Sequence, residues 1–420
     1  MTQKLGANRL SVIAAAFIGI SLPSMVLGKA ALQGSLIAGF LCILILGIQD
    51  RRLFSPLKEL KDHPIAPLVA ALFIFWAVSV FFSFDVWQSA QAYGRVILAV
   101  LGTTIVWSFL TSNSTAFWAC LKALIATSAI ATILALVDVA GWSAPLLFLK
   151  GDLWKEFPAY LKVSQVKTYA SVSLCLIPPL AWGAYQLNGP WRYLALASIV
   201  ATPIIMEGSG SRSSLAGLAI MIFLSVALVG YRRGRLIRYM IVAAIPAIFA
   251  IFSATLSQFR GSNQASAIPT WLIDGHRQEI WTFVFKKTLE SPWIGHGLDV
   301  INMVPGANEK IPGIGYEYVP AHPHNWLLEI AAETGFVGVA TLLFILLILV
   351  LRNARILIIE NNKAALALAA LTAGFWTSAL FNFSIWSSWW HLTYLVLFAI
   401  LSAAVMSPCK RSENDFAAVI

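Results

Sequence analysis

Long apolar runs dominate this chain, and short polar or basic segments punctuate them. A helix needs about 20 apolar residues to cross a bilayer, and runs on that scale predict about twelve membrane-spanning helices. They fall near residues 10–28, 31–49, 64–83, 93–111, 117–140, 169–187, 193–207, 213–230, 239–257, 334–351, 364–383 and 390–406. The seventh is short. Lys4 and Arg9 precede the first run and Pro23 breaks it, a pattern shared with signal peptides. Because another run follows at once, we read a retained helix. The pattern predicts an all-α polytopic membrane protein, a single integral membrane domain over residues 1–420. No soluble domain, low-complexity tract or internal repeat interrupts it.

Composition agrees. The chain is 59% hydrophobic and only 11% charged, with a mean hydropathy of +0.78. Soluble domains carry about 25% charged residues, so a soluble enzyme is excluded. The net charge of +10 would suggest nucleic acid for a soluble protein. Here basic loops that orient helices account for it, and no nucleic-acid partner is expected; membrane lipids are. Cys42, Cys120, Cys175 and Cys409 lie far apart and form neither a disulfide framework nor a zinc spacing.

The basic residues fix sidedness. Arg51, Arg52, Lys58 and Lys61 follow the second run, and Arg232, Arg233, Arg235 and Arg238 follow the eighth. Arg352, Arg355 and Lys363 follow the tenth, and Lys410 and Arg411 the twelfth. With twelve spans and both termini cytoplasmic, all four loops lie on the cytoplasmic side. The opposite side receives a lysine-bearing loop over 142–168, a tight turn over 208–212 and a large loop over 258–333, between spans nine and ten. Apolar and aromatic residues such as Ile280, Trp281, Phe283 and Val284 predict helices within that large loop.

Polar chemistry gathers on this outer side. His322, His324, Asn325, Glu329 and Glu333 stand directly before the tenth span. Pro320 and Pro323 restrict the backbone ahead of His324, and Asn325 suits the cap of the following helix. Histidine accepts a proton near neutral pH, so His324 is a candidate base; an interfacial histidine at headgroup level is the alternative. His322 would orient the loop. Arg212, in the turn after Gly208 and Gly210, sits at a helix start where an arginine makes an anion site. Arg277 shares a helical face with Trp281 and either clamps an anion or pairs with Asp274 or Glu279. Two arginines suit a diphosphate, and their charge would keep His324 neutral. No Asp-x-Asp, His-Glu-x-x-His, Walker loop or Gly-x-Ser-x-Gly elbow is present, so neither a metal nor a cofactor is expected.

These residues resemble the O-antigen ligase and polymerase superfamily of bacterial envelope glycosyltransferases. The His324-Asn325 pair with Gly335 and Gly338, the Ser211-Arg212-Ser213 turn, and Arg277, Trp281 and Gly295-x-Gly297 are similar to its three motifs, in order. The resemblance implies a C-type glycosyltransferase (GT-C) fold in the bacterial inner membrane with a periplasmic site. It implies a glycan on undecaprenyl pyrophosphate as donor and, in the ligase branch, a sugar hydroxyl of lipid A–core as acceptor. His324 would then be the base, and Arg212, Arg277 and, as a third contact, Arg95 would bind the pyrophosphate. Asn325, His322 and Trp389 would support the site, with His391 also in the last outer loop, and transfer would invert the anomeric carbon without a metal. Polymerases and protein O-oligosaccharyltransferases share these motifs, and a lipid-linked glycan transporter is the alternative from another class. Length, span count and the short stretch after the last run favour the ligase.

Overall fold

A computed structural model of the protein describes residues 9–60, 65–151, 166–234 and 274–406. All regular elements among them are helical, apart from one isolated β-bridge between Lys310 and Glu317. The α-helices are α1 (Arg9–Ser21), α2 (Lys29–Gln49), α3 (Leu57–Leu60), α4 (Ala66–Phe81), α5 (Val86–Ser112), α6 (Ser114–Val139) and α7 (Ala144–Lys150). They continue as α8 (Lys167–Gln186), α9 (Pro190–Gly208), α10 (Arg212–Arg233), α11 (Gly275–Glu290), α12 (Trp326–Glu360), α13 (Lys363–Ala379) and α14 (Ser388–Met406).

The all-α expectation therefore holds. Six of these helices are long and apolar enough to cross a membrane: α2, α5, α6, α10 over Arg212–Tyr231, α12 and α14. The ninth run, 239–257, lies outside the described residues. Each of the other runs coincides with a helix, although α1 and α4 are short. Pro23 ends α1 early, and a 3₁₀ turn over Pro23–Leu27 replaces its last part. The seventh run is longer than its apolar core suggested, because Pro190 opens α9 three residues upstream.

Side chains start several helices. Asp85 accepts from Gln88 N at 2.9 Å, Asn113 from Ala116 N at 3.0 Å, and Asn362 from Ala364 N at 3.0 Å. Each satisfies an amide that the first turn leaves unpaired. The core is one continuous apolar cluster, in which α1 packs on α2 and α6, α10 runs along α13, and α14 lies against α5 and α13.

The two ends of these helices differ chemically. α2, α10 and α12 begin at Lys29, Arg212 and Trp326, and they end beside Arg51 and Arg52, at Arg233, and beyond Arg352 and Arg355. The basic clusters and the candidate site thus occupy opposite ends of the same helices.

Two glycine-dependent contacts shape the site end. Gly335 breaks α12 with φ 69° and ψ 178°. A side chain there would collide with the Trp293–Ile294 backbone, and one at Gly295 (φ 77°) would collide with Glu333 and Thr334. The break frees the carbonyls of Ala332 and Glu333, which accept from His296 N at 3.0 Å and Gly297 N at 2.9 Å. The Gly295-x-Gly297 turn therefore supplies the donors that a continuous helix would have provided. Between α11 and α12 the chain builds its own small core from Ile280, Trp281, Val284, Ile301, Val304, Ala307 and Val319.

Candidate functional site

The site forms where α11, the segment before α12, and the α13–α14 connection meet. Trp281 donates its indole N–H to the Pro323 carbonyl at 2.9 Å, which pins the His322–His324 segment to α11. His324 takes a left-handed backbone conformation, φ 56°, unusual for a side chain with a Cβ. Asn325 then caps α12, accepting from Leu327 N at 3.0 Å and Leu328 N at 3.2 Å.

Two successive carbonyls hold the key side chains next to each other. Phe381 O accepts from Arg277 Nη1 at 3.1 Å, and Asn382 O pairs with His324 Nδ1 at 3.1 Å. A carbonyl only accepts, so Nδ1 carries the hydrogen and a neutral His324 keeps its lone pair on Nε2. That is the nitrogen a base would use. The His322 ring lies 4.2 Å from the His324 ring, centroid to centroid.

The surroundings keep both rings uncharged. Burial pushes His324 down to about 3, helped by the neighbouring His322 and by Arg277, against the Asn382 carbonyl and Asp274. Burial likewise pushes His322 down to about 4, helped by Arg277 and Lys29 and opposed by the Asn382 carbonyl. Lys29, at the start of α2, lies 5.7 Å over the Trp389 ring. Trp389 is itself buried against Phe383, with ring centroids 4.6 Å apart.

Arg277 also touches Asp274 Oδ2 at 3.3 Å, but that carboxylate is 60% exposed. Such a surface pair is worth little and yields readily to a better anion. Arg212 is exposed and makes no ion pair among the described residues. It follows Gly210 (φ 66°) and opens α10. Arg95 is placed differently: its Nη2 bonds Asp299 Oδ2 at 2.6 Å. Burial nevertheless raises the Asp299 carboxyl above its usual range, against the pull of Arg95.

Several participants were given no role from sequence, although Glu329 and Glu333 stood out there as polar residues before a span. Glu333 accepts from Val300 N and Ile301 N, both at 3.0 Å, and from the Trp386 indole N–H. Glu329 accepts from Ile385 N at 2.9 Å. The two glutamates thus staple the 298–301 turn and the 384–386 turn to α12. Asn382, Lys29 and Ser171 belong with them. A polar residue in the Phe381–Ser384 stretch was the available signal for Asn382, but the hydropathy reading folded that stretch into a span.

Among the described residues no cluster of three metal-ligating side chains occurs. The cationic groups near His324 are arginine and lysine, and the arrangement can hold an anion beside a neutral imidazole.

Comparison with known proteins bears on the same segment. Residues 195–343 match the family profile described as O-Antigen ligase. A "Putative polysaccharide ligase" of Rickettsia conorii is 32% identical over 119 residues, covering 27% of this chain and 28% of that protein. One of Rickettsia typhi is 29% identical over 134 residues, 31% of this chain and 32% of its own length. One of Rickettsia prowazekii is 24% identical over 247 residues, 53% of this chain and 60% of its own length. The chain therefore spans less than two thirds of each of these relatives. Residues 195–343, the stretch that contains Arg212, Arg277 and His324, are thus similar to the O-antigen ligase family region.

Proposed function

We propose that this protein is an inverting, metal-independent glycosyltransferase of the O-antigen ligase type, acting in lipopolysaccharide biosynthesis. The donor is a polysaccharide on undecaprenyl pyrophosphate, and the acceptor is a sugar hydroxyl of lipid A–core. The protein sits in the bacterial inner membrane as about twelve spans of a GT-C fold, with both termini cytoplasmic and the site facing the periplasm. The 258–333 segment is then the large periplasmic loop.

The observation that carries this reading is the side-by-side anchoring of Arg277 and His324 on the carbonyls of Phe381 and Asn382. A diphosphate held by Arg277 lies next to the free Nε2 of His324. The acceptor hydroxyl gives its proton to Nε2, and its oxygen bonds the anomeric carbon from the face opposite the leaving group. The bond between that carbon and the diphosphate oxygen breaks, and its electron pair leaves with the undecaprenyl pyrophosphate. Arg277 and Arg212 offset the charge that develops there, and Arg95, as a third contact, is tied to Asp299 until the donor arrives. The imidazolium then releases its proton to water.

An imidazole depressed to about 3 is neutral but a weak base. The bound diphosphate offsets part of this by screening Arg277, one of the causes of the depression. Basicity thus rises when the donor is present, and in the empty enzyme the ring stays unprotonated.

The test is reconstitution of the purified full chain with lipid-linked donor and three competing acceptors: lipid A–core, a second lipid-linked glycan, and a serine-containing peptide. Conjugation to lipid A–core is the expected outcome. Elongation of the lipid-linked glycan would instead identify a polymerase, and modified peptide a protein O-oligosaccharyltransferase. Movement of glycolipid across the bilayer without any new bond would make the protein a transporter.

A further inference from the structure

The carbonyl that holds His324 belongs to Asn382, and the side chain of Asn382 is bound in turn. Its Nδ2 donates to Ser171 Oγ at 2.8 Å. Ser171 Oγ lies 3.1 Å from Ser214 Oγ, and Ser214 Oγ lies 2.7 Å from Ser211 Oγ. All four residues are buried: Ser171 and Ser214 at 0%, Ser211 at 1% and Asn382 at 6% exposure. Ser211 immediately precedes Arg212. A line of hydrogen bonds, bridged by the covalent frame of Asn382, therefore runs from the arginine turn at the start of α10, through α8, to the ring of His324.

Resting on the glycosyltransferase reading above, we propose that Asn382, Ser171 and Ser214 are positioning residues. They fix the Asn382 carbonyl, hence the His324 tautomer and ring direction, at a set distance from the Arg212 turn.

The physical case is one of cost. Buried hydroxyls and amides need partners, and each of these finds its partner in the next. Helix packing alone would be served as well by alanine at Ser171 and Ser214, where α8 and α10 meet. Serine at both, matched to an asparagine on a third element, joins three parts of the chain that are distant in sequence. The element so joined carries the one carbonyl that selects the Nδ1–H form of His324. Loss of the line leaves that carbonyl held only by its own turn, and the imidazole is then free to exchange tautomers or rotate. His324 itself lies outside α12, one residue before the capping Asn325, in a left-handed backbone position.

The full-length protein, with 15N-labelled histidine and in nanodiscs, tests this directly. Histidine nitrogen shifts separate the Nδ1–H from the Nε2–H form, and His324→Gln identifies the His324 signals by their loss. Wild type is expected to show His324 as a single Nδ1–H tautomer, and Ser171→Ala a mixture. Ser214→Ala, one link farther, is expected to give a smaller admixture and stands in if Ser171→Ala does not fold. Ser173→Ala is the control: Ser173 is equally buried in α8 but bonds only its own helix, at Ala170 O. On the same samples, Ser171→Ala should lower transfer kcat by about 10-fold, the order found when a partner that orients an imidazole is removed. Donor KM should change less than kcat, because the substitution removes no group that itself meets the anion. A single unshifted tautomer in both Ser171→Ala and Ser214→Ala overturns the proposal, as does an equal change in Ser173→Ala. If wild type transfers no glycan, the glycosyltransferase reading falls, and the tautomer result still decides the relay.

Discussion

Arg277 and Arg95 make an informative pair. Both lie at the site end of the helices, and both face an aspartate. The Arg95–Asp299 contact is 2.6 Å long and lies beside an assembly of the buried Glu329, Glu333 and Trp386. In that assembly both glutamates accept from loop amides, Glu333 also from an indole N–H, and the loops are held by them. Arg277 instead meets an exposed aspartate at 3.3 Å and a neutral carbonyl, beside an imidazole whose Nε2 lone pair is uncommitted. One polar assembly spends its bonds on the protein itself; the other keeps valence for something else. Free valence, rather than polarity, separates the groups expected to act from the groups expected to hold.

The largest break in this comparison should come from His324. Replacing it by Ala is expected to lower kcat by about 10²–10⁴-fold, the range for loss of a positioned general base. The melting temperature should change little. Steady-state transfer assays on reconstituted protein, with thermal melts on the same preparation, read both. Transfer within a few-fold of wild type would remove His324 from the chemistry.

Arg277→Ala and Arg212→Ala come next, each costing about 2–4 kcal/mol in kcat/KM if the guanidinium meets transition-state charge. Lysine at either position should rescue only in part, because the planar fork is lost. Arg95→Ala sharpens the contrast: its loss should appear as a modestly lower melting temperature, since the part-buried Asp299 loses its ion-pair partner. A kcat loss from Arg95→Ala matching that from Arg277→Ala would show that the two arginines do the same work.

Glu333→Ala tests the holding assembly from its centre. It strips acceptors from Val300 N, Ile301 N and the Trp386 indole, and each orphaned donor costs about 1–3 kcal/mol. The expected result is poor yield and early melting, with near-normal turnover per folded molecule. Normal melting with lost turnover would move Glu333 from the scaffold into the active machinery.

Much of this contrast was legible in the chain, for physical reasons that differ by residue. Arg212, Arg277 and His324 stood out because polar groups at span ends need a justification that apolar context does not supply. Asn325 was legible because capping is local chemistry. Ser171 and Ser214 were not, since serine inside an apolar run reads as helix-packing filler until its partner is seen. Glu333 was visible as an oddity, yet its acceptors' partners lie over thirty residues away in sequence. Arg95 read as a free cation because Asp299 reaches it only through tertiary structure, in a left-handed turn at φ 59°. The helix break at Gly335 escaped for the same reason: glycine in a span is common, and only the approach of the Trp293 backbone explains this one.

The smallest expected effect concerns pH, and it distinguishes the two assemblies through stability. Free in an unfolded chain, His322 and His324 titrate near 6.5; folded, they are held down to about 4 and about 3. Above pH 6.5 both states carry neutral rings, and these histidines contribute no pH dependence. As pH falls below 6.5, the unfolded chain takes up protons that the folded one refuses, so stability declines until the folded values are reached. Both rings are partly exposed, so the decline is screened and modest. The difference in melting temperature between wild type and the His322→Gln/His324→Gln double variant should be constant from pH 8 to about 7, and wild type should lose ground to the variant from about 6.5 to 4.5. In transfer assays, kcat/KM should show no acidic limb near 6.5, because the free enzyme keeps His324 neutral well below it. A limb at that pH would mean that the imidazole titrates as if in water, and that the site end of the helices is far more open to solvent than the burial of His324 implies.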